Sequence, residues 1–350
     1  MKLGLRGALG LLLSVALLAF ALWSVDFAQV WRELRASDPW LFAAATVTGT
    51  ATFLLRARRW QTILEPIAPA VPLGALWRAT AIGAMVNNVV PARAGELARA
   101  FALTREEPRV SFAGGIASLA VDRLFDAIVV LLLMLGAMLD PRFGVGATAD
   151  QRALATGAAI TGAVGLSVVL LLLYAIVFFP APLIRLFELF ARRVAPTIEA
   201  RGAQLLRTFA EGLGVLRHPG RFLAVLWWTA LHWLLAAFSF WLGFRAVGIP
   251  APFSAALLVQ GVIAVGVALP SAPGFFGVFE VAALAGLALY GVGTDKAVSW
   301  ALGYHVLTFI PITIIGAIYF TRLGLHFAQL GRAAADRAPA PAEADRAGPA

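Results

Sequence analysis

The sequence predicts an all-α polytopic integral membrane protein, with about six to eight membrane segments and two hairpins broken by proline and glycine. Three observations predict it. Of 350 residues, 61% are hydrophobic and only 13% charged, against about 25% charged in a soluble domain. Several apolar runs reach the ~20 residues that a helix needs to cross a hydrocarbon core. These runs are continuous, whereas a β-barrel would show short segments of alternating polarity.

The elements follow in order. LRGALGLLLSVALLAFALW, with Arg6 near its start, gives a first span over 5–24. It lacks a convincing small-residue cleavage site and WSVDFAQVWREL follows it, so it reads as a retained span and not as a signal peptide. Further spans are expected at 39–56, 114–138, 156–179, 222–247 and 297–321. Two more apolar regions, 73–103 and 253–290, are interrupted internally by Pro and Gly. The segment 180–221 carries seven arginines and three glutamates among apolar residues at helical spacing. It is expected to lie on the cytoplasmic membrane surface as amphipathic helix. The tail, 331–350, is rich in Ala, Pro and charge and is expected to be disordered. Residues 1–330 then form one transmembrane domain.

Net charge is +9, and 26 of the 28 basic residues are arginine. In a membrane protein such charge marks cytoplasmic loops. Lys2, Arg6, Arg56, Arg58, Arg59, the 180–221 segment and Arg322 would all lie inside, with both termini cytoplasmic. The assignments agree if 73–103 dips in from the cytoplasm and 253–290 from the outside. The two regions also resemble each other. VNNVVPARAGELARAFAL has P-x-x-A-G at 91–95, and VGVALPSAPGFFGVFEVAAL has P-x-x-P-G at 270–274. Each then presents a carboxylate, Glu96 or Glu280. Two similar broken segments of opposite orientation are the mark of an inverted-repeat transporter; two unrelated kinked hairpins are the alternative.

Pro91, Gly95, Pro270, Pro273 and Gly274 are the candidate hairpin formers, because proline lacks a backbone donor and glycine permits otherwise closed conformations. Non-helical backbone at membrane depth must be covered by protein or reached by water, so polar tips imply a cavity. Arg93, Glu96 and Arg99 follow the first tip at spacing three, on one helix face. The next span, ASLAVDRLFDAIVVLLL, adds Asp122, Arg123 and Asp126. An ionisable group at mid-membrane costs about 2.5–3.5 kcal/mol, so these six must pair, face water or lie near the interface. One reading is a salt-bridge network pinning the hairpin to its neighbouring span. The other is a cavity in which the planar arginine fork binds a phosphate headgroup. Asp122 or Asp126 could neutralise one of the arginines. Asn87 and Asn88 precede the tip and could cap broken helix ends or touch a headgroup. Glu280 could pair with an arginine of the first hairpin or take up a proton. His305 reads as a hydrogen-bonded packing residue, Pro311 as a kink, and Arg56 and Arg59 with Trp60 as interfacial anchors.

Several function classes are excluded. There are no cysteines, hence no disulfide or thiolate chemistry. No His/Asp/Glu cluster has metal-ligand spacing, and no G-x-S-x-G, Walker or Rossmann pattern occurs. No cofactor or metal is expected, and no basic soluble face offers itself to nucleic acid.

NNVVPARAGELARAFAL resembles the asparagine–proline–glycine–glutamate–arginine motif of the lysylphosphatidylglycerol synthase transmembrane region, also called the flippase-like or UPF0104 family. ASLAVDRLFDAIVVLLL is similar to the family's following span, and LPSAPGFFGVFE to its second motif. The likeness extends over about 5–325. It implies an inner-membrane protein of bacteria that moves lipid or lipid-linked molecules between leaflets. Matching positions are Asn87, Asn88, Pro91, Gly95, Glu96, Arg99, Arg123, Asp126, Pro270, Gly274 and Glu280. Full-length synthases add a large soluble catalytic domain after the membrane region. The expectation here is therefore a transporter and not an aminoacyl transferase. Its partners would be membrane lipids with an anionic or lipid-linked headgroup, with a homo-oligomer left open. An intramembrane lipid-phosphate-dependent transferase, with Asp122, Asp126 or Glu96 as base, and a scaffold for a lipid-modifying enzyme remain as alternatives.

Overall fold

A computed structural model describes residues 5–23, 25–90, 94–194, 202–203, 218–268 and 272–327. Pro91, Arg93, Pro270, most of the segment between α8 and α9 and the whole expected tail lie outside the described residues. Every regular element described is helical: α1 Leu5–Leu22, α2 Phe27–Ala36, α3 Pro39–Leu64, α4 Leu73–Val89, α5 Gly95–Glu106 and α6 Phe112–Ala137. There follow α7 Ala149–Phe178, α8 Pro180–Val194, α9 Pro219–Ala246, α10 Phe253–Gly266, a 3-10 turn Pro273–Phe275, α11 Val278–Ala288 and α12 Thr294–Arg322.

Local chemistry sets several boundaries. Asp38 caps α3, its carboxylate accepting from the Trp40 and Leu41 amides at 2.8 and 3.1 Å, with Pro39 in the first turn. Asp26 caps α2 and Ser111 caps α6 in the same way. Both expected breaks occur: α4 stops at Val89 and α5 starts at Gly95, while α10 and α11 are separated by residues 267–277. Pro311 lies inside α12 without ending it. The expected span 39–56 is a longer helix, running on to Leu64.

Among the described residues three helices, α3, α9 and α12, are long and apolar enough to cross a membrane, and α1 with α2 would make a fourth if that pair, bent by 84°, is one span. α6 has the length, at 26 residues, but carries Asp122, Arg123 and Asp126 in its middle. Large apolar side chains point outward from these helices, among them Val47, Leu54, Leu132, Trp227 and Ile314. On a soluble surface such a girdle would be an aggregation hazard; against lipid it is the favoured face. The chain is a helical membrane protein.

The core has two centres. One, around Trp60, Leu64, Leu76, Ile82, Val86, Leu103 and Phe125, joins α3 to α4, α5 and α6. The other, around Phe240, Phe244, Phe279, Trp300 and Tyr304, joins α9 to α10, α11 and α12. Packing partners correspond between the two sets. α3 lies along α9; α4 packs on α5 as α10 packs on α11; α5 meets α6 as α11 meets α12. The exchange is reciprocal, since α4 packs against α12 and α10 against α6.

The hairpin helices approach closely because glycine permits it. A Cβ at Gly95 would overlap the Gly83 carbonyl oxygen and the Asn87 amide, and one at Gly83 would press on the Gly95 carbonyl and Arg99 Cβ. Overpacking of this kind typically costs about 1–3 kcal/mol. Gly95→Ala is therefore expected to lower the midpoint of thermal unfolding in detergent. Gly136→Ala, whose new Cβ would meet nothing within 4 Å, is expected not to lower it, since alanine is the better helix former.

Candidate functional site

The charged residues of the first hairpin and α6 come together, and their centre is a residue placed elsewhere by the sequence. Arg59, expected at the interface, is fully buried. α3 continues past Arg56 and carries Arg59 into the protein beside Trp60. Its Nη2 lies 2.6 Å from Asp122 Oδ1 and its Nη1 2.6 Å from Asp126 Oδ1. Asp122 and Asp126 stand one turn apart on α6, so one guanidinium spans both. Asp126 also accepts the Trp233 indole N–H from α9 at 2.8 Å.

Arg99 reaches the same cluster from α5. Its Nη1 donates to Asp122 Oδ2 at 3.2 Å, and its guanidinium sits 4.1 Å from the centre of the Trp60 ring. The Trp60 indole is in turn fixed by Ser118 Oγ at 2.8 Å. Arg123 closes the other end, 2.9 Å from Glu96 and 3.4 Å from Asp126. That end is partly open: the Arg123 side chain is 40% exposed and Glu96 25%, while Arg59 and Asp122 are sealed. Arg56, three residues before Arg59, adds a fourth guanidinium on the α3 side.

Arg59 is thus a cluster member and not an interfacial anchor, and Arg56 lies within electrostatic range of the same carboxylates. Asp122 is shared between Arg59 and Arg99, and Asp126 between Arg59 and Arg123, as neutralising partners. Glu96 and Arg99 do not act as a single face: Glu96 turns to Arg123 and Arg99 to Trp60 and Asp122. Asn87 caps the broken helix, its Oδ1 accepting from the Gly95 amide at 2.8 Å. Asn88 donates to Thr313 Oγ1 of α12 at 2.7 Å and ties the first hairpin to the second half of the chain. Gly274 belongs to the second hairpin's turn, with φ of 69° in the left-handed region, and Pro273 opens its 3-10 turn. Among the described residues Glu280 meets no arginine; its carboxylate is 2.7 Å from His305 Nδ1 and it accepts from the Gly277 amide at 2.6 Å.

Among the described residues four guanidiniums face three carboxylates in the cluster, an excess of one positive charge. Buried donors are left over as well. Nε and Nη2 of Arg99 and Nε of Arg56 have no hydrogen-bond acceptor among the described residues. A buried polar group without a partner is costly, more so when charged. The group that fits these donors is an anion with several oxygens. Among the described residues no group of three or more His, Asp or Glu could hold a metal ion. Sequence reasoning missed Arg56, Arg59 and Trp233, while His305 is the buried, hydrogen-bonded packing residue it was expected to be, with Glu280 as its partner. The one available signal was TFLLRARRW, where arginines three apart sit before further helix-forming residues.

Fold and site together define a multi-helix membrane protein whose polar centre is built from a broken hairpin and the helix that follows it. The family model described as lysylphosphatidylglycerol synthase TM region matches residues 7–316. The chain belongs to that family. It is 26% identical over 338 residues to a UPF0104 membrane protein of Methanothermobacter thermautotrophicus, covering 88% of this chain and 92% of the relative. It is 36% identical over 121 residues to the glycosyltransferase AglD of Haloferax volcanii. That match covers 35% of this chain and 19% of AglD, so the matched stretch spans about a fifth of that relative's length.

Removing one partner of a buried ion pair typically costs about 3–5 kcal/mol, whereas replacing both by apolar groups is often mild. Asp122→Asn is therefore expected to destabilise strongly. The double change Arg59→Leu with Asp122→Leu leaves the cluster's net charge unaltered and is expected to be milder. Thermal unfolding in detergent should rank wild type above the double variant and the double variant above Asp122→Asn.

Proposed function

We propose that the protein moves an anionic lipid, or a lipid-linked molecule with a phosphate headgroup, between membrane leaflets. The observation that carries this reading is the set of buried arginine N–H groups without acceptors, on Arg99 and Arg56, beside an ion-pair network that opens at Glu96 and Arg123. A purely structural salt-bridge network would balance its charges and satisfy its donors. This one retains a positive excess and free donors, as a phosphate site does. Membership of a family named for the transmembrane region of a lipid-modifying synthase agrees with a lipid cargo.

The membrane arrangement proposed has six spans, α1, α3, α6, α7, α9 and α12, and two re-entrant hairpins, α4–α5 and α10–α11. The reciprocal packing of α4 on α12 and α10 on α6 supports an inverted repeat. The arginine distribution supports cytoplasmic termini in a bacterial inner membrane, with α8 on the inner surface, where its apolar and basic faces suit anionic lipid. Headgroups would enter between Arg123 and Glu96, and movement of the hairpins would alternate access between leaflets.

A transferase is the second reading, favoured by the glycosyltransferase name of AglD. Its candidate bases Asp122 and Asp126 are each held by two guanidiniums, which speaks for binding over proton abstraction.

The test is a translocation assay in proteoliposomes with fluorescent anionic, zwitterionic and polyprenyl-phosphate lipids. Wild type is expected to move at least one phosphate-bearing lipid faster than protein-free vesicles. Arg99→Ala and Arg56→Ala are expected to lose most of that activity while eluting as folded protein on gel filtration. Arg99→Lys is expected to restore little, because an ammonium lacks the planar fork. Equal rates in wild type and variants would refute the anion site. A chemically altered lipid recovered from detergent solution would establish the transferase.

A further inference from the structure

The two halves of the chain answer the same carboxylate with different bases. In each half a glutamate stands in the first turn of the helix after the break, Glu96 in α5 and Glu280 in α11. Each pairs with a residue of the following long helix. Counting from Phe112 and from Thr294, that residue is the twelfth of its helix in both cases: Arg123 in α6 and His305 in α12. Arginine is charged at every physiological pH, so the first pair is permanent. Histidine, unlike arginine, can release its proton, so the second pair can be undone by deprotonation.

The hydrogen bonds fix the proton count of the second pair. His305 Nε2 lies 2.8 Å from the Gly274 carbonyl oxygen, which can only accept, so Nε2 carries a hydrogen. Glu280 Oε2 accepts from the Gly277 amide at 2.6 Å and is engaged as an acceptor. The 2.7 Å contact between His305 Nδ1 and Glu280 Oε1 needs one further proton, on either atom. The pair therefore closes only in its neutral form, imidazolium with carboxylate or imidazole with carboxylic acid.

We propose that Glu280 and His305 are a proton-binding latch that holds the second hairpin shut, and that loss of their shared proton opens it. Without that proton an imidazole lone pair would face a carboxylate oxygen, and the pair would carry an unbalanced negative charge. Glu280 is fully buried, and the rings of Phe276 and Phe279 lie 4.4 and 4.2 Å from the imidazole. An unpaired buried charge must find water or a proton. The turn above it is poised to move: Gly274, Phe275 and Gly277 all have positive φ, and for Phe275 that conformation is strained.

No other ionisable group within the second hairpin balances this charge. α10 has none, and α11 none besides Glu280. On α12, Tyr304 bonds Ser239 of α9, while Asp295 and Lys296 lie at the far end of the helix and Tyr319 and Arg322 at the other. The only ionisable side chain of α4, Arg78, is held by Glu106 of α5. Among the other helices against α12, α3 commits Arg59 to Asp122 and Asp126, with Arg56 beside it and Arg58 bonded to Gln61; α9 has His232 on the Thr52 carbonyl and Arg245 over Trp241; and α2 has Arg32, Glu33 and Arg35 in contacts of its own.

The latch does not depend on the cargo, so its test needs no transported lipid. The chain has no cysteine, and Val278 is buried at the start of α11. Val278→Cys supplies a single probe for maleimide labelling in membranes. Glu280→Gln should fold and stay shut, since its amide can donate to Nδ1 and its carbonyl accept from Gly277. The labelling rate of Val278→Cys, divided by the rate of the same cysteine with Glu280→Gln, cancels the thiol's own titration. This ratio is expected to rise about tenfold per pH unit through the transition, the slope of a one-proton opening. With His305→Arg, which copies the first hairpin, it is expected to stay flat and low; that variant also serves as reference if Glu280→Gln fails to fold. A flat ratio with native His305, or the same rise in His305→Arg, overturns the proposal.

Discussion

Arg59 between Asp122 and Asp126 is the constraint on which the arrangement of the first half depends. Charges at membrane depth are expensive unless paired, and here the pairing is not local. α3 supplies the cation, α6 both carboxylates, α5 a second cation and α9 an indole donor. Four helices must converge for any of these groups to be satisfied. The network is thus better understood as a device that specifies one packing than as a source of stability, because desolvation offsets much of the attraction between buried ions. Gly83 and Gly95 let α4 and α5 approach closely enough to bring Arg99 against Trp60 and Asp122.

The packing partners of α3–α6 correspond to those of α9–α12, with different chemistry in each set. In the first half aspartates and arginines fill the space between helices. In the second that space is aromatic, with Phe240, Phe244, Phe279, Trp300 and Tyr304 packed edge to face or tilted. The polar demands of the second break are met instead by one glutamate and one histidine under a phenylalanine lid. Under the function proposed above, the first half would bind the charged group and the second would close over it. Asn88 on Thr313 provides a direct physical link between the two.

The sequence alone determined the class, the two breaks and their motifs. Long apolar runs and proline–glycine interruptions act through local physics: burial of a whole helix surface in lipid, and loss of helix at particular residues. Asn87 as a cap is likewise legible, since a capping side chain reaches only a few ångströms along its own chain. Arg59, Arg56, Trp233 and His305 were not legible as partners. Arg59 and Asp126 are separated by 67 positions, Trp233 and Asp126 by 107, and nothing in the composition of TFLLRARRW distinguishes an arginine at the interface from one in the core. Only the tertiary structure decided which charges face each other, because that depends on how α3, α6 and α9 cross, and a helix's sequence fixes its own periodicity but not the neighbour it packs against.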